Sequence, residues 1–306
     1  MLRWLVTAIV AWVALSIVLF LVSAQFFQDR VDGETKAALT TSGAPIVAPA
    51  TVLVLGSDVR PKGSREPGAQ TSGRGRSDSI QLMRVGGGHS AKLSIPRDMV
   101  VEIPGFGLNK INAAYALGGS ALAVKTVKQF LGIDVDHVIL VNFERFPDLV
   151  DAMGGVDYTG GCVVSRINGG FRNGGYTLRL SAGTTHIDGK QALALSRTRK
   201  NACNLREDEL TRQRRQQKIV AAMKSRVLSP GGLLRWPWVA WRAPQTVTSD
   251  MGALGLTGLI ATLATAGDAP TRILRPDGAA TLPDGGAGLT LSDASKARQV
   301  SRFLAR

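Results

Sequence analysis

Cysteine, histidine and aromatic side chains are scarce in this 306-residue chain, and each shortage argues against a class of function. The three histidines, His89, His137 and His186, show no metal-ligand spacing and have no cysteine nearby, so a zinc site is not predicted. Aromatic residues make up 6% of the chain, and the arginines alternate with acids, which argues against a nucleic-acid-binding surface. A Walker lysine motif, a GxGxxG after a strand and a nucleophile-elbow serine are also missing.

Acidic residues are outnumbered as well. The 37 Lys and Arg against 23 Asp and Glu give a formal charge of +14, which favours anionic partners such as nucleic acid, a phospholipid surface or a phosphorylated substrate. The sign of the charge does not choose among these partners. With 44% hydrophobic residues, the chain can bury one large core or two smaller ones.

One long apolar run stands at the N-terminus. Between Trp4 and Val22 the polar residues are Thr7 and Ser16. About 19 residues at a rise of about 1.5 Å match the thickness of a bilayer core, so residues 1–24 are predicted to be a transmembrane anchor. A cleaved signal peptide is the alternative, because residues 22–24 resemble a cleavage site, although the run exceeds the usual apolar length of about 7–15 residues.

The two cysteines, Cys162 and Cys203, lie far beyond this run in loops rich in Gly, Asn and Ser. An isolated even pair in such loops predicts a disulfide formed in an oxidising compartment. Two unrelated buried thiols are the alternative. A disulfide would place the folded domain on the outer side of the membrane.

Strands and helices are predicted to alternate after a polar tether at residues 25–50, which predicts one α/β domain over residues 51–306. The predicted strands are short apolar or β-branched runs, and the predicted helices are longer and bounded by Gly or Asp. The strands are Thr51–Leu55, Ser79–Val85, Ala91–Ile95 and His137–Val141, and the helices are Ala121–Leu131, Arg145–Met153 and Gly189–Leu195.

A further helix is predicted from Thr211 to Leu228, with one apolar stripe at Ile219, Met223 and Val227. Extended backwards, the stripe reaches Arg212 and Gln216. Polar groups on a core-facing stripe are costly unless they meet a ligand, so these two are expected to point into a pocket. The other cations of this helix are assigned to its solvent face: Arg214, Arg215 and Lys218.

Beyond the helix, three tryptophans are expected to pack in the core in preference to forming a membrane-interface belt: Trp236, Trp238 and Trp241.

Arginine and aspartate alternate in four clusters beside apolar strands. Guanidinium groups match phosphate oxygens and carboxylates suit magnesium, so the clusters together predict a magnesium-bound phosphate ligand. Asp58 and Asp78 would hold the metal, and the arginines would stabilise charge on a leaving phosphate. Surface salt bridges worth at most about 1 kcal/mol each are the alternative. The clusters are Gly56–Arg60, Arg76–Asp78, Ile95–Asp98 and Arg197–Arg199.

Ordered blocks that include these clusters resemble the LytR-CpsA-Psr family. The resemblance covers residues 51 to 227, with a weaker tail to residue 306. The blocks are Val54–Arg60, Gly75–Ser79, Ser94–Asp98, Ile103–Gly105, Asn109–Tyr115, Asp151–Val156, Asp188–Leu193, Arg197–Arg199 and Arg212–Gln217.

The resemblance implies an α/β/α sandwich with a central mixed sheet and a lipid-holding groove, anchored in the cell membrane with the catalytic domain outside. It implies a Mg²⁺-dependent enzyme that moves a glycopolymer from a polyprenyl pyrophosphate carrier onto peptidoglycan and leaves a phosphodiester. A pyrophosphatase acting on the same donor and a non-catalytic lipid-binding regulator are the alternatives. Nucleic acid is not an expected partner.

Carried over by position, the resemblance makes Asp58 and Asp78 the metal ligands. The residues expected to hold the pyrophosphate are Arg60, Arg76, Arg97, Arg197, Arg199, Arg212 and Gln216. Arg97, Arg197, Arg199 and Asp98 are the expected catalytic residues, with Asp98 orienting Arg97 or acting on the acceptor. The family usually has Asp three residues before Arg212, where this chain has Glu209 next to Asp208.

Overall fold

A computed structural model describes residues 2–28, 30–40, 48–57, 75–167, 175–198, 200–207, 209–265, 269–283 and 285–305. By their internal contacts these residues form two compact units. We call residues 2–26 and 142–246 the anchor unit, and residues 27–57, 75–141 and 247–305 the sheet unit.

The described elements are, in chain order, α1 (Leu2–Phe27), α2 (Gly33–Ala38), β1 (Ala50–Ser57), β2 (Ser77–Gly86), β3 (His89–Ile95), β4 (Val100–Ile103), β5 (Gly107–Lys110), α3 (Ala113–Leu131), β6 (His137–Val141), α4 (Phe146–Ala152), β7 (Val156–Gly160), β8 (Val163–Ile167), β9 (Tyr176–Leu180), β10 (Gly183–Ile187), α5 (Gly189–Arg197), α6 (Glu209–Leu228), α7 (Pro230–Leu233), α8 (Trp236–Arg242), a 3-10 turn (Ala243–Thr246), β11 (Val247–Ser249), α9 (Ala253–Thr265), β12 (Thr271–Ile273), β13 (Gly278–Thr281), β14 (Ala287–Thr290) and α10 (Asp293–Leu304).

The sheet unit is built on a six-stranded mixed sheet in the order β11-β6-β1-β2-β3-β12. The β1–β6 and β3–β12 pairs are parallel, and the other pairs are antiparallel. All four strands predicted from the sequence are confirmed, and they occupy the four central positions of this sheet.

Both faces of the sheet are buried. Successive residues of a strand point to opposite faces, and in β1 Leu53 and Leu55 join the core that contains Val124 of α3. Val52, which points to the other face, is also fully buried. Helix α9, with buried Leu259, packs against β2. The predicted α/β/α sandwich with a central mixed sheet is therefore confirmed.

The anchor unit packs helices α4, α5 and α6 against the short strand pairs β7–β10 and β8–β9. The predicted apolar stripe of α6 is confirmed, since Ile219 is buried in this core and Met223 and Val227 pack against it. A side chain at Gly189 would place its Cβ 2.2 Å from the carbonyl oxygen of Pro147, so glycine allows the close approach of α5 to α4.

The predicted tether contains a short helix. Helix α2 is capped by Asp32, whose carboxylate accepts a hydrogen bond of 2.7 Å from the Thr35 backbone N–H. The Thr35 hydroxyl lies 2.7 Å from that of Ser120 in α3, and Ala38 is buried. Six residues are too few to show an apolar period in the sequence, which explains why no helix was expected there.

Helix α1 is long and apolar enough to cross a membrane, with a mean hydropathy of 2.8 over its most apolar window, of which 6% is buried. On one side it meets the tryptophan segment: the Trp12 ring lies 5.9 Å from that of Trp238, and Trp12 Nε1 donates to the Leu233 carbonyl at 3.0 Å. This helix is a candidate membrane span.

The prediction that all three tryptophans pack in the core was wrong. Trp238 is 58% exposed and Trp241 is 37% exposed, whereas the Trp236 indole donates to the Val227 carbonyl at 2.9 Å. Residues two apart on a helix point to different sides, so α8 cannot turn Trp236 and Trp238 inward together.

Candidate functional site

Several of the predicted site blocks meet at one end of the six-stranded sheet. Because β2 is antiparallel to both neighbours, its start lies beside the ends of β1 and β3, as the pairs Gly56 with Ser79 and Ile80 with Ile95 show. The backbone of Asp78 in β2 and the turn carrying Arg97 therefore lie at the same end of the sheet. Arg76, immediately before β2, is exposed there.

Two of the residues expected at this end of the sheet, Asp58 and Arg60, lie outside the described residues. The backbone of Asp78 is described, but its side chain is not. Among the described residues, no group of three or more His, Cys, Asp and Glu side chains could hold a metal ion. The metal assignment to Asp58 and Asp78 stays a prediction.

Arg97 and Asp98 form a turn directly after β3, and the structure brings their side chains together. Arg97 Nε lies 3.4 Å from Asp98 Oδ2, and Lys110 Nζ lies 3.1 Å from Asp98 Oδ1. All three side chains are between 18% and 28% exposed, so they are partly shielded from solvent. The Asp98 carboxylate thus lies between two cations, in a position suited to orienting Arg97.

Backbone hydrogen bonds hold this turn from three directions. The Met99 N–H donates to the Pro96 carbonyl at 3.1 Å, the Asn112 N–H donates to the Arg97 carbonyl at 3.3 Å, and the Leu289 N–H donates to the Asp98 carbonyl at 2.9 Å. The side chains of Arg97 and Asp98 are therefore carried by a backbone that neighbouring segments fix in place.

Lys110 was not predicted as a site residue. It lies in β5, twelve positions after Asp98, and reaches Asp98 only because β4 and β5 form a hairpin directly after the turn. Its one signal in the sequence is membership of the block Asn109–Tyr115.

A second set of predicted residues lies in the anchor unit, where the end of α5 meets the first turns of α6. Arg197 is half-buried at the end of α5, and Arg212 is 3% exposed on α6. The Gln216 amide donates to the Ser196 carbonyl at 3.3 Å, which places Gln216 beside the α5 end that carries Arg197. Arg199 lies outside the described residues.

The solvent-facing assignment of Arg215 was wrong. Its side chain is 5% exposed and forms an ion pair with Glu207 through Nη2 and Oε2. Arg215 follows Arg212 by three positions and precedes Ile219 by four, so it lies on the buried face of α6, and this spacing could have predicted its burial. Arg214 and Lys218 are exposed, as expected.

The predicted disulfide between Cys162 and Cys203 is present, with a Cα–Cα distance of 5.9 Å that lies in the usual range. It joins the start of the β8 region to the segment that precedes α6. Buried Tyr158 of β7 lies near the same segment: burial raises its pKa above the usual range, Glu207 adds to the rise, and Arg215 opposes it.

These features define an α/β protein that carries arginines in partly or fully buried surroundings, a residue type suited to phosphate recognition. The chain belongs to the LytR_cpsA_psr family, whose sequence model matches residues 24–281.

Two curated relatives are similar over part of the chain. The polyisoprenyl-teichoic acid–peptidoglycan teichoic acid transferase TagT of Bacillus subtilis is 38% identical over 185 residues, or 58% of this chain and 53% of TagT. The probable cell wall biosynthesis protein LcpB of Corynebacterium glutamicum is 35% identical over 188 residues, or 60% of this chain and 43% of LcpB. The chain spans about half the length of the curated relatives it matches.

A solved structure extends the likeness to most of the fold. The LytR-CPS2A-psr family protein YwtF (TagT) with bound octaprenyl pyrophosphate lipid superimposes with a TM-score of 0.62 at 25% sequence identity. The match covers 89% of this chain and 96% of that one.

Proposed function

We propose that this protein transfers a glycopolymer from a polyprenyl pyrophosphate carrier onto peptidoglycan. The observation that carries the proposal is the likeness, over 89% of the chain, to a family member solved with octaprenyl pyrophosphate. Arg97 and Arg212 have little exposure to solvent, and guanidinium groups are the side chains best suited to bind phosphate oxygens.

In the proposed reaction an acceptor hydroxyl of peptidoglycan attacks the phosphorus next to the glycan. The bond from that phosphorus to the bridging oxygen breaks, and polyprenyl phosphate leaves with the electron pair while the hydroxyl proton passes to solvent or a base. The new bond is a phosphodiester between glycan and peptidoglycan. Negative charge grows on the departing phosphate, and fixed guanidinium groups stabilise it without reorganising.

Arg97 is proposed to contact the pyrophosphate, with Asp98 fixing the orientation of its guanidinium group. The other proposed phosphate contacts follow from family resemblance: Arg60, Arg76, Arg197, Arg199, Arg212 and Gln216.

Magnesium is proposed as the cofactor, held by Asp58 and Asp78. A bound divalent ion would polarise the pyrophosphate and neutralise part of its charge. Support comes from the carboxylate type of both residues and from the position of residue 78 at the same sheet end as Arg97.

The proposed location is the outer face of the cell membrane. The apolar helix α1 supports attachment to a bilayer. The Cys162–Cys203 disulfide supports an oxidising environment, because intracellular thiols are normally kept reduced.

The test uses the full chain in detergent micelles, a polyprenyl-pyrophosphate-linked disaccharide labelled in the sugar, and purified peptidoglycan. We expect label in the peptidoglycan, and we expect Arg97→Ala to lower the rate by at least about a hundredfold, the effect of removing a preorganised charge from such a site. Arg214→Gln removes the same charge from an exposed position on α6 and should leave the rate unchanged.

Two results would contradict the proposal. Soluble disaccharide phosphate released in the presence of peptidoglycan would identify a pyrophosphatase. Donor that stays bound without turnover to the folded chain in the presence of magnesium would identify a lipid-binding regulator.

A further inference from the structure

A buried ion pair stands at the start of α6, one residue away from the proposed phosphate contact Gln216. Glu207 and Arg215 are paired through Oε2 and Nη2, with side chains 10% and 5% exposed. Arg215 lies three positions after Arg212, so the two guanidinium groups share one face of the helix. Two cations on one buried face repel each other, and an acid fixed beside one of them lowers that cost.

Within the described residues, the Nε and Nη1 atoms of Arg215 have no hydrogen-bond partner. Its position is therefore set by Nη2 and the Glu207 carboxylate.

Glu207 is in turn held by Asn201, which is 1% exposed. The Asn201 Nδ2 group donates to Glu207 Oε1 at 2.8 Å and to the Cys162 carbonyl at 2.9 Å. Its Oδ1 accepts from the Val164 N–H at 2.9 Å and from the Cys203 N–H at 3.1 Å. Asn201 thus joins both half-cystines to the carboxylate that holds Arg215.

We propose that Arg215 and Glu207 are positioning residues for the phosphate contacts of α6, and that the disulfide keeps them in place. The disulfide fixes Asn201, Asn201 fixes Glu207, and Glu207 fixes the turn of helix that carries Arg212 and Gln216. Reduction of the disulfide therefore weakens binding of a pyrophosphate ligand. This inference rests on the proposed function, because it assumes that Arg212 and Gln216 bind pyrophosphate.

An electrostatic role and a positioning role of Glu207 predict opposite changes in anion affinity for the substitution Glu207→Gln. If Glu207 acted only through its charge, its removal would make the surroundings of Arg212 more positive and would tighten binding of an anion. If Glu207 positions Arg215, the glutamine amide places a donor group against Arg215 or against Asn201, and binding weakens. The direction of the change separates the two roles.

Binding of inorganic pyrophosphate to the full chain in detergent micelles is measured by isothermal titration calorimetry. We expect Glu207→Gln to weaken binding about tenfold, the loss of one charge-assisted hydrogen bond. Glu207→Asp keeps the charge and should recover part of the affinity. Arg214→Gln, which changes an exposed neighbour on the same helix, is the matched control and should stay within about twofold of the parent.

The link to the disulfide is tested by a double-mutant cycle. The pair Cys162→Ser with Cys203→Ser should weaken binding by a similar factor in the parent chain. Added to Glu207→Gln, the same pair should cause little further loss, because both changes release the same side chain. Reduction of the parent chain with a phosphine tests the disulfide without any substitution. If Glu207→Gln does not fold, Glu207→Asp decides the positioning role: weaker binding than the parent supports it, and equal binding overturns it.

Equal or tighter pyrophosphate binding by folded Glu207→Gln would overturn the positioning role. Unchanged binding after complete reduction of the disulfide would overturn its contribution. If the parent chain does not bind pyrophosphate at all, the proposed function fails, and the inference fails with it.

Discussion

The disulfide allows a quantitative prediction of how stable the anchor unit is against unfolding. Cys162 and Cys203 close a loop with a sequence separation of 41 residues. The chain-entropy relation gives a stabilisation of about 4 kcal/mol at 25 °C for a loop of this length, because the cross-link restricts the unfolded chain. Replacing both residues with serine should lower the free energy of unfolding of this unit by up to that amount.

Tryptophan fluorescence during urea unfolding measures this change selectively. All five tryptophans, at positions 4, 12, 236, 238 and 241, belong to the anchor unit, so the signal does not report on the sheet unit. With an m-value of about 2 kcal/mol per M, the midpoint should fall by about 2 M. The reduced parent chain should unfold at the same urea concentration as the double-serine variant.

Coincident unfolding curves for the oxidised and reduced parent chain would contradict this prediction. Such a result would mean that the loop is ordered in the unfolded state or that the cross-link adds nothing to the packing around Asn201.

Three further substitutions test particular contacts. Asp98→Asn removes the carboxylate between Arg97 and Lys110 and should lower kcat about tenfold, the effect of losing one charge-assisted bond; an unchanged kcat would show that Arg97 needs no such support. Gly189→Ala adds a Cβ 2.2 Å from a backbone oxygen of Pro147 and should destabilise the anchor unit by about 1–3 kcal/mol in the same urea assay, and an unshifted midpoint would contradict the close packing of α4 and α5. Asp78→Asn should abolish magnesium-dependent transfer because it removes a hard anionic ligand, and an identical magnesium titration would refute that assignment.

The strands of the sheet could be predicted because their local pattern and their final environment agree. The run His137–Val141 is apolar and β-branched, and it forms β6 with the predicted bounds. Helix α3 shows the limit of local patterns: it was expected from Ala121 and begins at Ala113, with Gly118 and Gly119 in non-helical conformations between its two parts. The two glycines correctly indicated a break in the helix, but the helical turn that precedes them was not predicted.

Contacts among the predicted site residues could be anticipated where residues adjacent in sequence stay adjacent in space. Arg97 and Asp98 meet across one turn, and the helical spacing of Arg212 and Gln216 indicated their partly or fully buried face. Lys110 was missed because a hairpin brings it to Asp98, and no local pattern encodes that contact. The binding and catalytic roles of all the site residues stay predictions, and Asp58, Arg60 and Arg199 also lie outside the described part of the chain.

The helical spacing of Arg215 indicates the buried face of α6, but it does not reveal the acid that pairs with Arg215 there. A cation in the first turns of an amphipathic helix is usually solvated, and the segment that carries Asn201 and Glu207 supplies the acid that allows it to be buried. The predicted disulfide drew attention to that segment in the sequence. The contact between the segment and α6, through Glu207 and Arg215, could be seen only in the folded structure.

The most direct test of the proposed transfer follows the two phosphorus atoms of the donor separately. The full chain is given two preparations of the polyprenyl-pyrophosphate-linked disaccharide, one with ³²P next to the glycan and one with ³²P next to the lipid, together with peptidoglycan and magnesium. We expect the glycan-side label to enter peptidoglycan and the lipid-side label to stay in polyprenyl phosphate. Release of the glycan-side label as soluble disaccharide phosphate, with none in peptidoglycan, would contradict the proposed transfer.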